Sequence, residues 1–185
     1  MKKLSCRVFL PLLAFAAVIV SVFAGCGTKD ASLYDSILSG YGAKDKVFSV
    51  QGMNITLTDS FAEQEYITQT AAYVSQDEMV AVTKESFSDI GSSTYSNKSY
   101  MQLVARNNNL NSVTIEENET YAYFTYKKTV SGKVFYYFAT GRKGPTAYWL
   151  IQFGCLESEA DKHQANFEKY AASVTFDGVN SGVTV

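Results

Sequence analysis

Between Thr120 and Cys155 the chain reads TYAYFTYKKTVSGKVFYYFATGRKGPTAYWLIQFGC, a run dominated by aromatic and β-branched residues and broken by glycine-bearing turns. Those residue types favour extended backbone, and Ser131-Gly132 is the kind of two-residue break that closes a tight hairpin. Strands are expected at Thr120–Val130, Lys133–Gly141 and Thr146–Cys155, with a shorter one at Ser112–Glu116. Alternation puts Ala122, Phe124 and Tyr126 on one face of the first and Tyr121, Tyr123 and Thr125 on the other. The second splits likewise into Val134, Tyr136, Phe138 and Phe135, Tyr137, Ala139. An antiparallel sheet with one wet face shows polar residues at every second position. Here both registers are apolar or aromatic, so the sheet must be covered on both faces.

Two segments have the spacing to supply that cover. In NKSYMQLVARNNNL, Tyr100, Leu103, Val104 and Asn107 recur at helical spacing, Ser96 or Asn97 can cap the start, and the run Asn107–Asn109 can end it. In SEADKHQANFEKYAASV, Ser158 and Asp161 have the spacing of a capping box, and His163, Phe167, Tyr170, Ala171 and Val174 form one stripe. Upstream, KVFSVQGMNITLTDSF reads as two short strands about Gln51-Gly52 with a turn at Thr58–Ser60. Ala71–Ser75 and Met79–Lys84, joined by the polar turn Gln76-Asp77, read as a further hairpin. Residues 46–185 are therefore expected to form a single α+β globular domain, a central antiparallel sheet flanked by helices on both faces. About 140 residues can bury one real core.

The N-terminus has a different character. Lys2, Lys3 and Arg7 precede an uncharged apolar run from Val8 to Gly25, the layout of a secretory signal peptide over residues 1–25. A transmembrane helix is the competing reading at this length, since a bilayer core takes roughly 20 residues. Pro11 and the small residues at the end favour the signal peptide. The stretch Phe23-Ala24-Gly25-Cys26 resembles the bacterial lipobox, with Phe23 standing where leucine is usual. The resemblance implies that the Cys26 thiol receives diacylglycerol and becomes the mature N-terminus, a lipid attachment to the cell membrane on its extracytoplasmic face. One acyl chain of myristoyl length binds membranes with an association constant of only about 10⁴ M⁻¹, whereas two hold firmly. Residues 26–45, rich in Gly, Ser, Ala and Asp, then read as a flexible tether with one helical turn around Leu33–Leu38. A coil of about 20 residues spans roughly 25 Å.

Removal of the signal segment leaves 13 basic against 18 acidic residues, a formal charge of −5. Nucleic acid is excluded as a partner, because its recognition rests on a concentrated positive surface. The local groups Lys127, Lys128, Lys133 and Arg142, Lys143 read as solvated hairpin ends. Of the three cysteines, Cys6 leaves with the signal, Cys26 carries lipid and Cys155 remains alone, so no disulfide framework is expected. A Cys26–Cys155 bridge is the alternative in a non-lipidated product.

No nucleophile elbow, phosphate loop, zinc-protease helix or paired-cysteine motif is present. His163, the one histidine, lies on the stripe that faces the sheet and reads as structural, with no partner evident for activating a nucleophile. Cys155 falls in the register of Trp149, Ile151 and Phe153, a core face where a thiol behaves as a small apolar group. Glu63 with Glu65, and Glu116, Glu117 and Glu119, read as solvated turn carboxylates, and the sequons at Asn54, Asn97 and Asn118 read as accidental in a bacterial lipoprotein. No catalytic, cofactor-binding or metal-binding residue is assigned, and an enzyme is not expected.

The order of elements, from MNITLTDSF through AAYVSQDEMVAVTKESF, SYMQLVARNNN and AYWLIQF to FEKYAASVTF, resembles the PsbP/Mog1 fold over Val47–Phe176. That resemblance implies a central antiparallel sheet between helices and a protein-binding or accessory role. The expected function is a membrane-anchored lipoprotein of the bacterial cell envelope, a non-catalytic module whose partner is another envelope protein. The alternative is a small-molecule or lipid binder with an aromatic-lined pocket between sheet and helix.

Overall fold

The structure, a computed structural model, describes residues 43–178. The expected signal peptide, Cys26 and the turn expected at 33–38 lie outside the described residues. The chain enters the fold through β1 (Asp45–Val50), which folds back on β2 (Met53–Thr58). Gln51 and Gly52 between them have φ of 47° and 89°, the left-handed pair that matches the twist of a two-residue hairpin. With β10 (Thr175–Phe176) these strands make a small sheet of order β1-β2-β10.

The main sheet is built from β3 (Ala62–Gln64), β4 (Ala71–Val74), β5 (Met79–Ser86), β6 (Glu116–Glu117), β7 (Ala122–Val130), β8 (Lys133–Lys143) and β9 (Ala147–Leu156). Its order is β3-β4-β5-β9-β8-β7-β6, and every pairing is antiparallel. The helices are α1 (Phe87–Ile90), α2 (Asn97–Asn107) and α3 (Ala160–Ala172). The α+β class with an antiparallel sheet agrees with the sequence reading.

Alternation along β9 explains how both faces are buried. Trp149, Ile151, Phe153 and Cys155 belong to one cluster with Phe167, Tyr170 and Ala171 of α3 and with Met53, Ile55 and Leu57 of β2. Tyr148 and Leu150 belong to another with Tyr100, Met101, Val104 and Ala105 of α2. Successive side chains of a strand point to opposite faces, so α3 and α2 pack on opposite sides of the sheet.

The short elements β3, β10 and α1 are not anticipated by the sequence reading, and three further details depart from it. The strand expected at Ser112–Glu116 shrinks to Glu116–Glu117, and Leu110, Val113 and Ile115 pack against the α2 cluster instead. Helix α2 is capped by Ser96, whose side chain accepts from the Ser99 N–H, and Asn109 past its end has φ 59°. Its buried face, however, runs through Tyr100, Met101, Val104 and Ala105 rather than Leu103 and Asn107. The rotation follows from Gly141 of β8, whose bare backbone opens a recess that Met101 fills. Lastly, Ser158 lies inside a 3₁₀ turn, Glu157–Glu159, so Glu159 is the cap position of α3 and no side chain bonds there.

A Cβ at Gly141 would overlap the Met101 side chain and lie 2.9 Å from Tyr100 Cδ1. Met101 can swing aside. The Tyr100 ring cannot, because it is stacked on Tyr148 with centroids 4.8 Å apart. Gly141→Ala is expected to destabilise the domain by about 1–3 kcal/mol, the usual cost of overpacking. Urea denaturation checks this, and an unchanged midpoint would show that α2 does not rest on β8 so closely.

Candidate functional site

The richest group of buried polar side chains gathers where the β4–β5 turn meets the first turns of α3. Ser75 N–H donates to the Glu78 carbonyl at 2.9 Å, and Glu78 N–H donates to Ser75 Oγ at 3.1 Å. This closed turn directs the Glu78 side chain inward, where the residue is only 5% exposed. Glu78 Oε1 lies 2.7 Å from His163 Nδ1 and accepts from Asn166 Nδ2 at 3.2 Å, while Oε2 accepts from the Tyr170 hydroxyl at 3.4 Å. Spacings of three and four place His163, Asn166 and Tyr170 on one helical face, so a single carboxylate collects three side chains of α3. At the rim of the same group, Glu159 Oε2 is 3.6 Å from His163 Nε2, and Lys162 Nζ is 3.5 Å from Asp77 Oδ2. Asp77, Glu159 and His163 together have the composition of a metal-ligating set.

A second buried pair sits on the other face. The Tyr100 hydroxyl donates to Glu85 Oε2 at 2.5 Å. Burial pushes the Glu85 carboxyl up to about 7, with Asp89 adding to the rise and the Tyr100 hydrogen bond opposing it. Burial likewise pushes the Tyr100 phenol well up, which keeps it a donor.

The residues singled out in the sequence fall as follows. Cys155 is fully buried, and its thiol is pushed up to about 12, mainly by burial and further by Glu78 and Glu159. A nucleophilic thiol has to be pushed down instead. His163 lies on the sheet-facing stripe with Phe167, Tyr170, Ala171 and Val174, all buried, and its partner is Glu78. The glutamates do not converge on a common substrate position: Glu116 accepts from the Tyr123 hydroxyl at 2.5 Å, and Glu117 from the Lys98 N–H at 3.3 Å. Glu63 and Glu65 line an open depression of about 410 Å³ with Tyr66, Ile67 and Gln69. Lys127 pairs with Glu157 at 2.8 Å, and the Arg142 guanidinium donates to the Val174 carbonyl, so these cations are spent on the fold. Sequence reasoning did not connect Asp77, Glu78 and Glu159 to His163. Of the three, only Glu159, four residues before His163 on the helix, was signalled by spacing.

No family model matches the chain, and no curated protein matches it significantly in sequence. Among solved structures, the protein is similar to cyanobacterial PsbP (CyanoP) from Synechocystis sp. PCC 6803, with 13% identity over 74% of this chain and 95% of that one and a TM-score of 0.47. A protein from Bacteroides thetaiotaomicron matches with 10% identity over 72% of this chain and 48% of that one, at a TM-score of 0.49. LpqN, involved in cell envelope biogenesis of Mycobacterium tuberculosis, matches with 9% identity over 76% of this chain and 95% of that one, at a TM-score of 0.46.

Proposed function

We propose that this chain is a lipoprotein of the bacterial cell envelope, held at the extracytoplasmic face of the membrane through acyl chains on Cys26. Its domain is a non-catalytic module that binds or assists another envelope protein. The observation that carries the reading is the stretch Phe23-Ala24-Gly25-Cys26 at the end of an uncharged run that follows Lys2, Lys3 and Arg7. The point of entry into the fold agrees with it. β1, where the described residues enter the fold, is an edge strand whose first three residues are exposed, a point of attachment that displaces no core residue. Among the described residues, no helix is long and apolar enough to cross a membrane.

The module reading is favoured over an aromatic-lined ligand pocket by how the rings are used. Those between sheet and helix pack on one another: Phe153 stacks on Phe167 at 5.6 Å, and Tyr100 on Tyr148 at 4.8 Å.

Cys26→Ser in the full chain is expected to move the protein from the membrane to the soluble fraction and to abolish metabolic labelling with palmitate. Retention and labelling at the wild-type level would refute the anchor. Purification of the wild-type chain from detergent-solubilised envelope tests the second half. A stoichiometric envelope protein supports the module, whereas recovery alone with a bound small molecule or lipid favours the pocket.

A further inference from the structure

We propose that Asp77, Glu159 and His163 form a binding site for a divalent transition-metal cation of the zinc class, with Glu78 as the carboxylate that orients the imidazole. The ligand atoms of Asp77, Glu159 and His163 all lie within 4.8 Å of one another. In a tetrahedral zinc site with bonds of about 2.0–2.1 Å, neighbouring ligand atoms stand about 3.4 Å apart. His163 Nε2 and Glu159 Oε2, at 3.6 Å, already have nearly that separation. Asp77 must close the remaining distance, and its side chain, 37% exposed, is free to turn.

An acidic cluster alone would carry nothing, but the histidine supplies an independent observation. Its side chain is only 6% exposed, and Nε2 has no hydrogen-bond partner among the described residues. A buried ring nitrogen left unpaired forfeits the hydrogen bond it would make in water. The other ring nitrogen accounts for the arrangement. Nδ1 faces Glu78 Oε1 at 2.7 Å, and a carboxylate accepts, so Nδ1 carries a proton and Nε2 is the nitrogen that would give its lone pair to a bound ion. A ligating histidine almost always hands its second N–H to a carboxylate or carbonyl in this way.

A cation is already drawn to the spot. Lys162 Nζ lies 3.5 Å from Asp77 and 3.9 Å from Glu159, on a side chain 63% exposed that can leave without disturbing the core. One imidazole and two carboxylates form a borderline donor set suited to Zn²⁺ or Co²⁺ rather than to the all-oxygen cages of Ca²⁺. Three protein ligands leave a fourth position for water or for a group from another molecule. The bound ion would clamp the β4–β5 turn to the start of α3.

The chain holds a single histidine, so the test can read it without ambiguity. The full chain, purified in detergent without a histidine tag and stripped with chelator, is titrated with Zn²⁺ by calorimetry and followed by ¹⁵N NMR of the imidazole. One equivalent is expected to bind, with the Nε2 resonance shifting while Nδ1 stays protonated. Asp77→Asn and Glu159→Gln, both at partly exposed side chains, are each expected to weaken binding by about tenfold or more, and Glu78→Gln by about tenfold. Far-UV circular dichroism in chelator confirms that each variant is folded. Absence of heat and of any Nε2 shift at millimolar Zn²⁺ overturns the proposal. So does undiminished affinity in Asp77→Asn and Glu159→Gln, which would place the ion elsewhere.

Discussion

Phe153→Ala is expected to cost about 3–5 kcal/mol, the range for deleting a large aromatic ring from a well-packed core. Phe153 is fully buried at the centre of the main sheet, opposite Val80 on β5 and Phe138 on β8. Its ring stacks on Phe167 of α3 at 5.6 Å, and it also meets Phe138 at 6.1 Å and Tyr170 at 6.3 Å. A space left there cannot close by local movement. Val80 and Phe138 are fixed by strand pairing on either side, and Tyr170 is held by Glu78. The penalty therefore contains a cavity contribution as well as the lost transfer energy. Against the roughly 5–15 kcal/mol that holds a typical domain together, it is about a fifth of the total or more. Urea denaturation should show a lower midpoint at an unchanged slope. Val134→Ala serves as the control, because Val134 is 43% exposed and surface changes stay within about 0.5 kcal/mol. Equal losses in the two variants would mean that the sheet–α3 interface is not the main core.

Glu85 gives the second large effect, and it depends on pH. Its carboxyl is pushed from 4.5 in the open chain up to about 7 in the folded protein, mainly by burial. Below pH 4.5 the group is protonated in both states and does not disfavour folding. Between 4.5 and 7 the unfolded chain loses the proton while the folded one keeps it, so stability falls as pH rises. Above 7 both are ionised and the loss levels off at about 3 kcal/mol, since each tenfold difference in acidity between the two states is worth about 1.4 kcal/mol. Glu85→Gln keeps an acceptor for the Tyr100 hydroxyl but does not ionise. Relative to wild type it is expected to gain about 3 kcal/mol between pH 4.5 and 8. Denaturant titrations of both proteins across that window measure the difference directly, and a difference constant with pH would contradict the raised carboxyl.

The features legible in the sequence are those set by neighbours along the chain. Alternation of apolar and aromatic residues located β7, β8 and β9 and required cover on both faces. Ser96 and the asparagine run bounded α2, and a five-residue stripe oriented α3. The features that escaped depend on pairing between distant segments. The face of α2 was misread because it is set by the missing side chain of Gly141, on a strand more than thirty residues away. The grouping of Asp77 and Glu78 with His163 follows from β9 lying beside β5. Met79 pairs with Gly154, so the helix that follows β9 starts next to the turn that precedes β5. Nothing in the local spacing of either segment announces that register.

The main sheet also carries a consequence at its margins. Its four longest strands, β5, β9, β8 and β7, run from 8 to 11 residues, yet it ends in β3, with three, and β6, with two. Both end strands are exposed throughout, and both bear glutamate, Glu63 on one and Glu116 and Glu117 on the other. A neighbouring copy laid along either end strand would find only two or three rungs of backbone and would bring carboxylates against carboxylates, and where the edge of β7 continues past β6 it carries Lys127 and Lys128, charges that blunt an open edge. However densely such molecules are gathered, the charges along these margins work against their zipping into fibres.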